Sequence, residues 1–372
     1  MSERAVPTLA AAPLAARLRA RIAETGPITF HDWMQSALYD ERGGYYNRPD
    51  LARWGRAGDY RTSPERSPLF AATCARYFAE LYVELGAPDS WTIIEVGAGA
   101  GDFACGVLNT FAHDYSHIFA ATRYVLDEQS AATNVRAHAR LTEFAERIEF
   151  QPLSDINARA NLIFANELLD ALPVHRVVLR AGRLRELYVD LNDAGAFVWL
   201  EGEPSTPRLA AHFARLDIEL AEGQTAEVNL AAEDWLAHAA TALTSGYLII
   251  VDYGAEAAEL YDARQRPDGT LRAFRQHQLR TDVLADPGTQ DLTTTIDWTQ
   301  IKQAATDAGL QTILCTRQDE FLLRAGLPAQ LESMTARLPT EAERIILRHS
   351  AREMILPGGM SQSFQVLVLR KC

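Results

Sequence analysis

An acid, then three alternating glycines, lead from an apolar run into a helical one at Ile93-Ile94-Glu95-Val96-Gly97-Ala98-Gly99-Ala100-Gly101-Asp102-Phe103. Glycine tolerates the tight turn between a strand and a helix and leaves room for a ligand to touch the backbone. Dinucleotide sites space their glycines GxGxxG to bring a pyrophosphate onto the helix end. The GxGxG spacing here, preceded by Glu95, fits the methionine part of S-adenosylmethionine better. Glu95, Gly97, Gly99 and Gly101 are therefore the expected cofactor contacts.

If an adenosine ribose is bound, a carboxylate closing the next strand accepts hydrogen bonds from both hydroxyls. Glu128, after Tyr124-Val125-Leu126 and 33 residues beyond Glu95, meets that demand, with Asp127 the competing choice. After the third strand, Ser154 and Asp155 sit where an adenine amino group is often held. After the fourth comes Asn166-Glu167-Leu168-Leu169-Asp170-Ala171-Leu172-Pro173, whose polar groups reach the carboxyl edge of the sheet. In open α/β sheets that edge carries the active site.

The elements that must position these residues begin with helices. Leu14, Leu18 and Ile22 share one helical face, and a second helix around Trp33 to Tyr39 follows the breaker Gly26-Pro27. A long irregular stretch holds Gly43-Gly44-Tyr45-Tyr46 and Gly58 to Glu65, of the kind that carries function. A helix from Pro68 to about Leu85 precedes short apolar runs alternating with helical segments, the pattern of a parallel sheet with crossover helices. The strands are expected at Thr92 to Val96, Arg123 to Leu126, Ile148 to Gln151, Leu162 to Ala165 and Tyr247 to Val251, with later ones at Gln311 to Thr316 and Phe364 to Leu369. Residues 1–90 read as an N-terminal helical layer with a substrate and cofactor loop, and 91–372 as the main domain. Two insertions interrupt it: about 174–245, a β-hairpin around Gly182 followed by a crossover helix centred on Trp235, and about 255–295, a lid or substrate loop.

Thirty-six Lys and Arg stand against 49 Asp and Glu, a formal charge of -13, which offers no general attraction for nucleic acid or an anionic membrane. A cationic partner suits it better. Cys74, Cys105, Cys315 and Cys372 form no CxxC pair, so no zinc cluster or disulfide framework is expected and a reducing compartment fits. No apolar run approaches the roughly 20 residues needed to span a bilayer. These features point to a bacterial cytoplasmic protein, and to the mitochondrial matrix only if the Arg- and Ala-rich start is a transit peptide.

Nine motifs in order make a wider resemblance plain. They are Gly26-Pro27-Ile28-Thr29-Phe30; Ala37-Leu38-Tyr39-Asp40 with Gly44-Tyr45-Tyr46; Gly58-Asp59-Tyr60 with Thr62-Ser63-Pro64-Glu65; the Gly97 to Gly101 loop; Ala165-Asn166-Glu167 with Asp170-Ala171-Leu172-Pro173-Val174-His175; Val251-Asp252-Tyr253-Gly254; Gly269-Thr270-Leu271-Arg272; Asp291-Leu292-Thr293; and Gln318 with Phe321-Leu322. Across nearly its whole length the chain resembles the MidA family, whose mitochondrial members assist complex I assembly by methylating an arginine of a subunit. The resemblance implies a class I methyltransferase-like, doubly wound α/β sheet of seven strands with the last antiparallel. It also implies S-adenosylmethionine as cofactor and a protein or peptide acceptor with an accessible arginine.

A guanidinium nucleophile is cationic and holds its proton strongly, so carboxylates are needed to grip it and localise its charge. Glu167, Asp170, Asp59, Glu65 and Asp252 are the candidates, with Glu167 foremost; Asn166, Thr62 and Ser63 are expected beside the cofactor. The chain departs from the family pattern where Ala98 and Ala100 replace a proline and an arginine of the glycine loop, and where Gly359 to Gln365 lacks the usual acid and lysine. A dinucleotide oxidoreductase is opposed by the glycine spacing. A hydrolase built on Gly359-Met360-Ser361-Gln362-Ser363 lacks the closing glycine of a nucleophile elbow. A small-molecule or peptide methyltransferase and a non-catalytic assembly factor that binds the cofactor and a partner are the remaining rivals.

Overall fold

In a computed structural model of the chain, the structure describes residues 13–48, 51, 67–157, 159–275, 278–356 and 363–372. Their contacts form two compact units. One takes in the described residues of Arg61–Asp170, Glu233–Gly254 and Gln300–Cys372; the other those of Met1–Tyr60, Ala171–Ala232 and Ala255–Thr299.

The first unit is built on strands β1 (Trp91–Val96), β2 (Thr122–Asp127), β3 (Ile148–Phe150), β4 (Ala160–Asn166), β5 (Leu243–Ala255), β6 (Gln311–Arg317) and β7 (Phe364–Lys371). Hydrogen bonding orders them β6-β7-β5-β4-β1-β2-β3. Strands β1 to β5 pair in parallel, and β7 runs antiparallel between β5 and β6. This is the doubly wound methyltransferase-type sheet. Its central strands read as unbroken apolar runs because both faces are covered: Ile93, Ile94, Leu162, Ile163 and Ile249 are fully buried.

Ser67 caps the helix Pro68–Glu84 by accepting the Leu69 N–H at 3.2 Å, and proline occupies the helix's first turn, where no amide hydrogen is needed. The helix buries Leu69, Phe70, Cys74 and Phe78. It lies so close to the helix Asp102–Asp114 that a Cβ on Gly106 would sit 2.5 Å from the Ala71 Cβ. Phe103, in the first turn of that second helix, stacks on Phe164 of β4 at 4.2 Å. The glycine loop between β1 and the helix is thereby anchored at its far end.

In the other unit, the helices Leu14–Thr25 and Phe30–Tyr39 contribute Leu18, Phe30, Trp33, Met34 and Leu38 to a core that also contains Val189 and Leu292. Its larger sheet orders Ile28–Thr29, Arg183–Leu191, His175–Arg180 and Thr225–Val228, with Phe197–Gly202 paired to Arg183–Leu191. The hairpin turns at Ala181 and Gly182, both with positive φ, as a two-residue turn requires, and Glu222 accepts both backbone N–H groups. Where the sequence suggested a lid, Arg272–Arg275, Gln278–Arg280 and Asp291–Thr293 form a small antiparallel sheet. Among the described residues no helix is long and apolar enough to cross a membrane.

Candidate active site

The chain leaves β1 through three left-handed glycines: Gly97 at φ +70°, Gly99 at +55° and Gly101 at +79°. Side chains rarely adopt that backbone, which accounts for the glycine at each position. The turn is closed from β2, whose Asp127 carbonyl accepts the N–H groups of Gly97 at 2.8 Å and Ala98 at 3.3 Å. A Cβ on Gly97 would meet Leu168 at 3.2 Å and one on Gly101 would meet Leu141 at 3.0 Å, but one on Gly99 would meet nothing within 4 Å. The loop is walled at both ends and open in the middle.

Of the two acids closing β2, Glu128 faces this loop. Its Oε2 accepts the Gly99 N–H at 3.0 Å, and its Oε1 accepts the Ser130 N–H at 2.7 Å. Asp127 turns elsewhere, to the Leu153 N–H at 3.0 Å, and burial pushes its carboxyl upward. Glu95 is enclosed at 5% exposure and receives a hydrogen bond from the Tyr124 hydroxyl at 2.8 Å. Burial pushes its pKa up to about 8, the Tyr124 hydrogen bond opposing the rise. Ser154 and Asp155 lie exposed on a short turn, Leu153–Asp155, with Ser154 donating to Asp155 at 3.1 Å.

A second group of polar residues gathers where β4 and β5 end. Asn166 donates to Glu167 Oε1 at 3.1 Å, while the buried Oδ1 of Asn166 has no hydrogen-bond partner among the described residues. Glu167 is held at φ +51°, a conformation costing a non-glycine residue ~1–2 kcal/mol, and its N–H is fixed on the Val251 carbonyl at 2.8 Å. Asp252 is fully buried at 0% exposure. Its Oδ2 accepts the N–H groups of Leu169 at 3.0 Å and Asp170 at 3.2 Å, and its Oδ1 that of Tyr253 at 2.8 Å. Burial, with Asp170 and Glu167 nearby, pushes Asp252 well above the ordinary carboxylate range. Asp170, 5% exposed, accepts a hydrogen bond from the Tyr253 hydroxyl at 2.5 Å.

Glu95, the three glycines and Glu128 thus cluster at the end of β1, and Asn166, Glu167, Asp170 and Asp252 at the ends of β4 and β5. Asp252 differs from the expectation of a substrate contact: its carboxylate is enclosed and spent on backbone amides. Asp59, Thr62, Ser63, Glu65 and the segment 357–362 lie outside the described residues. Tyr124 and Tyr253 carry no spacing signal, because each meets its acid only after strands have paired or a turn has folded back.

A family model of S-adenosyl-L-methionine-dependent methyltransferases matches residues 73–316. The chain belongs to this family, the MidA-like methyltransferases. The methyltransferase is 28% identical to the Drosophila melanogaster protein named "Protein arginine methyltransferase NDUFAF7 homolog, mitochondrial", over 96% of this chain and 84% of the relative. The Homo sapiens protein arginine methyltransferase NDUFAF7 is 24% identical over 96% and 83%. A crystal structure of a COG1565 superfamily member from Burkholderia thailandensis, bound to S-adenosyl-homocysteine, superposes with a TM-score of 0.84 at 30% identity, covering 99% of this chain and 95% of that one. S-adenosylmethionine is accordingly the methyltransferase's cofactor, and the residues fit it: space over Gly99, a carboxylate at Glu128 set against the Gly99 N–H, and a buried acceptor on Asn166 that has no hydrogen-bond partner among the described residues.

Proposed function

We propose that the protein transfers a methyl group to an arginine side chain of a protein acceptor. The observation that carries this reading is the acidic group at the ends of β4 and β5, where Glu167 is held in a strained backbone beside Asn166 and Asp170 is pinned by Asp252. The names of the fly and human relatives support it. In this reading Glu128 holds the ribose hydroxyls, the Gly97 to Gly101 loop lies against the methionine part, and Ser154 and Asp155 receive the adenine. Glu95 supports the loop from beneath.

The bound cofactor supplies an electrophilic methyl group on a sulfonium centre. The protein's task is to bring a nucleophile to it in the right charge state. Glu167 grips the guanidinium and orients one nitrogen, and charge-assisted hydrogen bonds localise the cation on the nitrogens that do not react. Asp252 takes no part in contact and acts by positioning the turn that bears Asp170. A cytoplasmic location belongs to the same reading and rests on the four free cysteines; the names of the relatives are mitochondrial. Mass spectrometry of methylated arginines in cells with and without the protein tests the proposal. Arginine methylation that disappears with the protein supports it, and an unchanged arginine methylome overturns it.

A further inference from the structure

Two residues before the first glycine of the loop, Glu95 is buried at the end of β1, with 5% of it exposed. The Tyr124 hydroxyl donates to its Oε2 at 2.8 Å, and the backbone of Ala104, in the first turn of the helix Asp102–Asp114, also hydrogen-bonds to it. The charged groups that bear most on it are both acids: Asp102, in the same turn and paired with Arg140 at 2.9 Å, and Glu128 after β2. Burial raises its pKa to about 8, the Tyr124 hydrogen bond opposing the rise and the two acids adding to it. At pH 7 roughly nine in ten molecules of the empty protein therefore carry a neutral Glu95. The other titratable groups packed there, Tyr124 and Cys74 of the helix Pro68–Glu84, are raised by burial and stay neutral as well. This end of the sheet meets a positively charged ligand with an acid whose charge has still to be made.

We propose that Glu95 senses the charge of the cofactor: neutral in the empty protein, it ionises when S-adenosylmethionine settles on the glycine loop, and one proton leaves to solvent. The inference rests on the placement of the cofactor's methionine part at this loop and is independent of the acceptor. S-adenosylmethionine brings a sulfonium and an ammonium group, and a nearby positive charge lowers a carboxyl pKa by about 1–3 units. The carboxyl O–H bond breaks, its electron pair stays on Glu95 and the proton passes to water. The ionised form is already provided for. Tyr124 donates to it, and the first turn of the helix Asp102–Asp114 presents the Ala104 backbone and the positive end of the helix dipole. Because binding releases a proton, cofactor affinity rises with pH below about 8.

The test uses the full-length protein, S-adenosylmethionine and Glu95→Gln, which resembles the protonated acid and cannot ionise. Calorimetry at pH 7 in two buffers of different ionisation enthalpy counts the protons released. With a shift of about two units on binding, wild type releases about 0.8 proton more than Glu95→Gln. At pH 6 the variant binds within about threefold of wild type, and at pH 8 the gap widens to about 50-fold. In infrared difference spectra, one carboxylic acid carbonyl band is lost on binding in the wild type and not in Glu95→Gln. Tyr124→Phe removes a hydrogen bond that favours the ionised form, so the rise in affinity moves upward by about one pH unit. Equal proton counts in wild type and Glu95→Gln overturn the proposal, as does a gap in affinity that stays constant from pH 6 to 8. Gly99→Val separates the two readings. Binding retained in that variant removes the cofactor from the loop and the proposal with it; binding lost there, beside equal proton counts in wild type and Glu95→Gln, overturns the charge sensing and leaves the cofactor's place intact.

Discussion

Replacing Glu128 with alanine probes the part of the site whose geometry is most complete. The Glu128 carboxylate accepts the N–H groups of Gly99 and Ser130, which sets it against the open middle of the glycine loop. In the proposed reading the same carboxylate accepts the ribose hydroxyls. Hydrogen bonds to a charged group contribute ~1.5–3 kcal/mol, so losing the ribose contacts alone weakens binding by roughly 10- to 150-fold. Loss of the brace on Gly99 adds to this. Isothermal titration with S-adenosylhomocysteine measures the effect, and Asp127→Asn supplies the comparison. That variant replaces the carboxylate facing the Leu153 N–H with a neutral amide, away from the loop, so it is expected to change the unfolding temperature at most modestly while leaving affinity within about threefold. Wild-type affinity in Glu128→Ala would refute the ribose assignment. An equal loss in Asp127→Asn would show that any disturbance at the end of β2 weakens binding.

Three further outcomes are expected. Gly99→Val places its side chain in open space at a φ of +55°, so stability falls by only about 2 kcal/mol, while S-adenosylhomocysteine binding is lost by calorimetry; retained binding would move the cofactor off this loop. Glu95 has its folded-state pKa raised to about 8, above that of the unfolded chain, so it contributes stability at low pH that is lost as pH rises through the window up to about 8. Glu95→Gln resembles the protonated form and should flatten the decline of unfolding temperature between about pH 5 and 8; a parallel decline in both proteins would show that another group causes it. Glu167→Gln keeps the side chain's shape and removes its charge, so kcat falls by about two orders of magnitude or more with cofactor affinity and unfolding temperature unchanged, measured by calorimetry and steady-state kinetics. If cofactor affinity is lost instead, Glu167 belongs to the cofactor site.

The sheet was legible because parallel strands covered on both faces must be apolar throughout, and β1, β2 and β4 emerge within two residues of where their apolar runs lie. β5 is longer than its run of Tyr247 to Val251 on both sides. It begins at Leu243, across an irregularity at Gly246, and continues through Asp252 and Tyr253 because β7 pairs with them. Polar residues look like a strand's end until a partner strand is known. The same limit hid Thr225–Val228 and the small sheet at 272–293, whose strands are short and partly charged. In the site, glycine spacing located the loop, since left-handed backbone leaves a compositional mark. The functions of the acids were harder to separate. Asp127 and Glu128 are neighbours in sequence, and only the direction each side chain takes distinguishes a brace on Leu153 from one on Gly99. Asp252 reads as an active-site acid until the turn 169–171 folds back and gives it backbone amides to hold.

The central claim is tested most directly by following an isotopically labelled methyl group. Purified protein and labelled S-adenosylmethionine are incubated with an extract of cells lacking the protein, and the labelled residues are located by tandem mass spectrometry. The account predicts label on the side-chain nitrogens of arginine in a discrete protein acceptor, absent when Glu167→Gln replaces the wild type. Label confined to small molecules or to other residues, or arginine labelling that persists undiminished in Glu167→Gln, would contradict it.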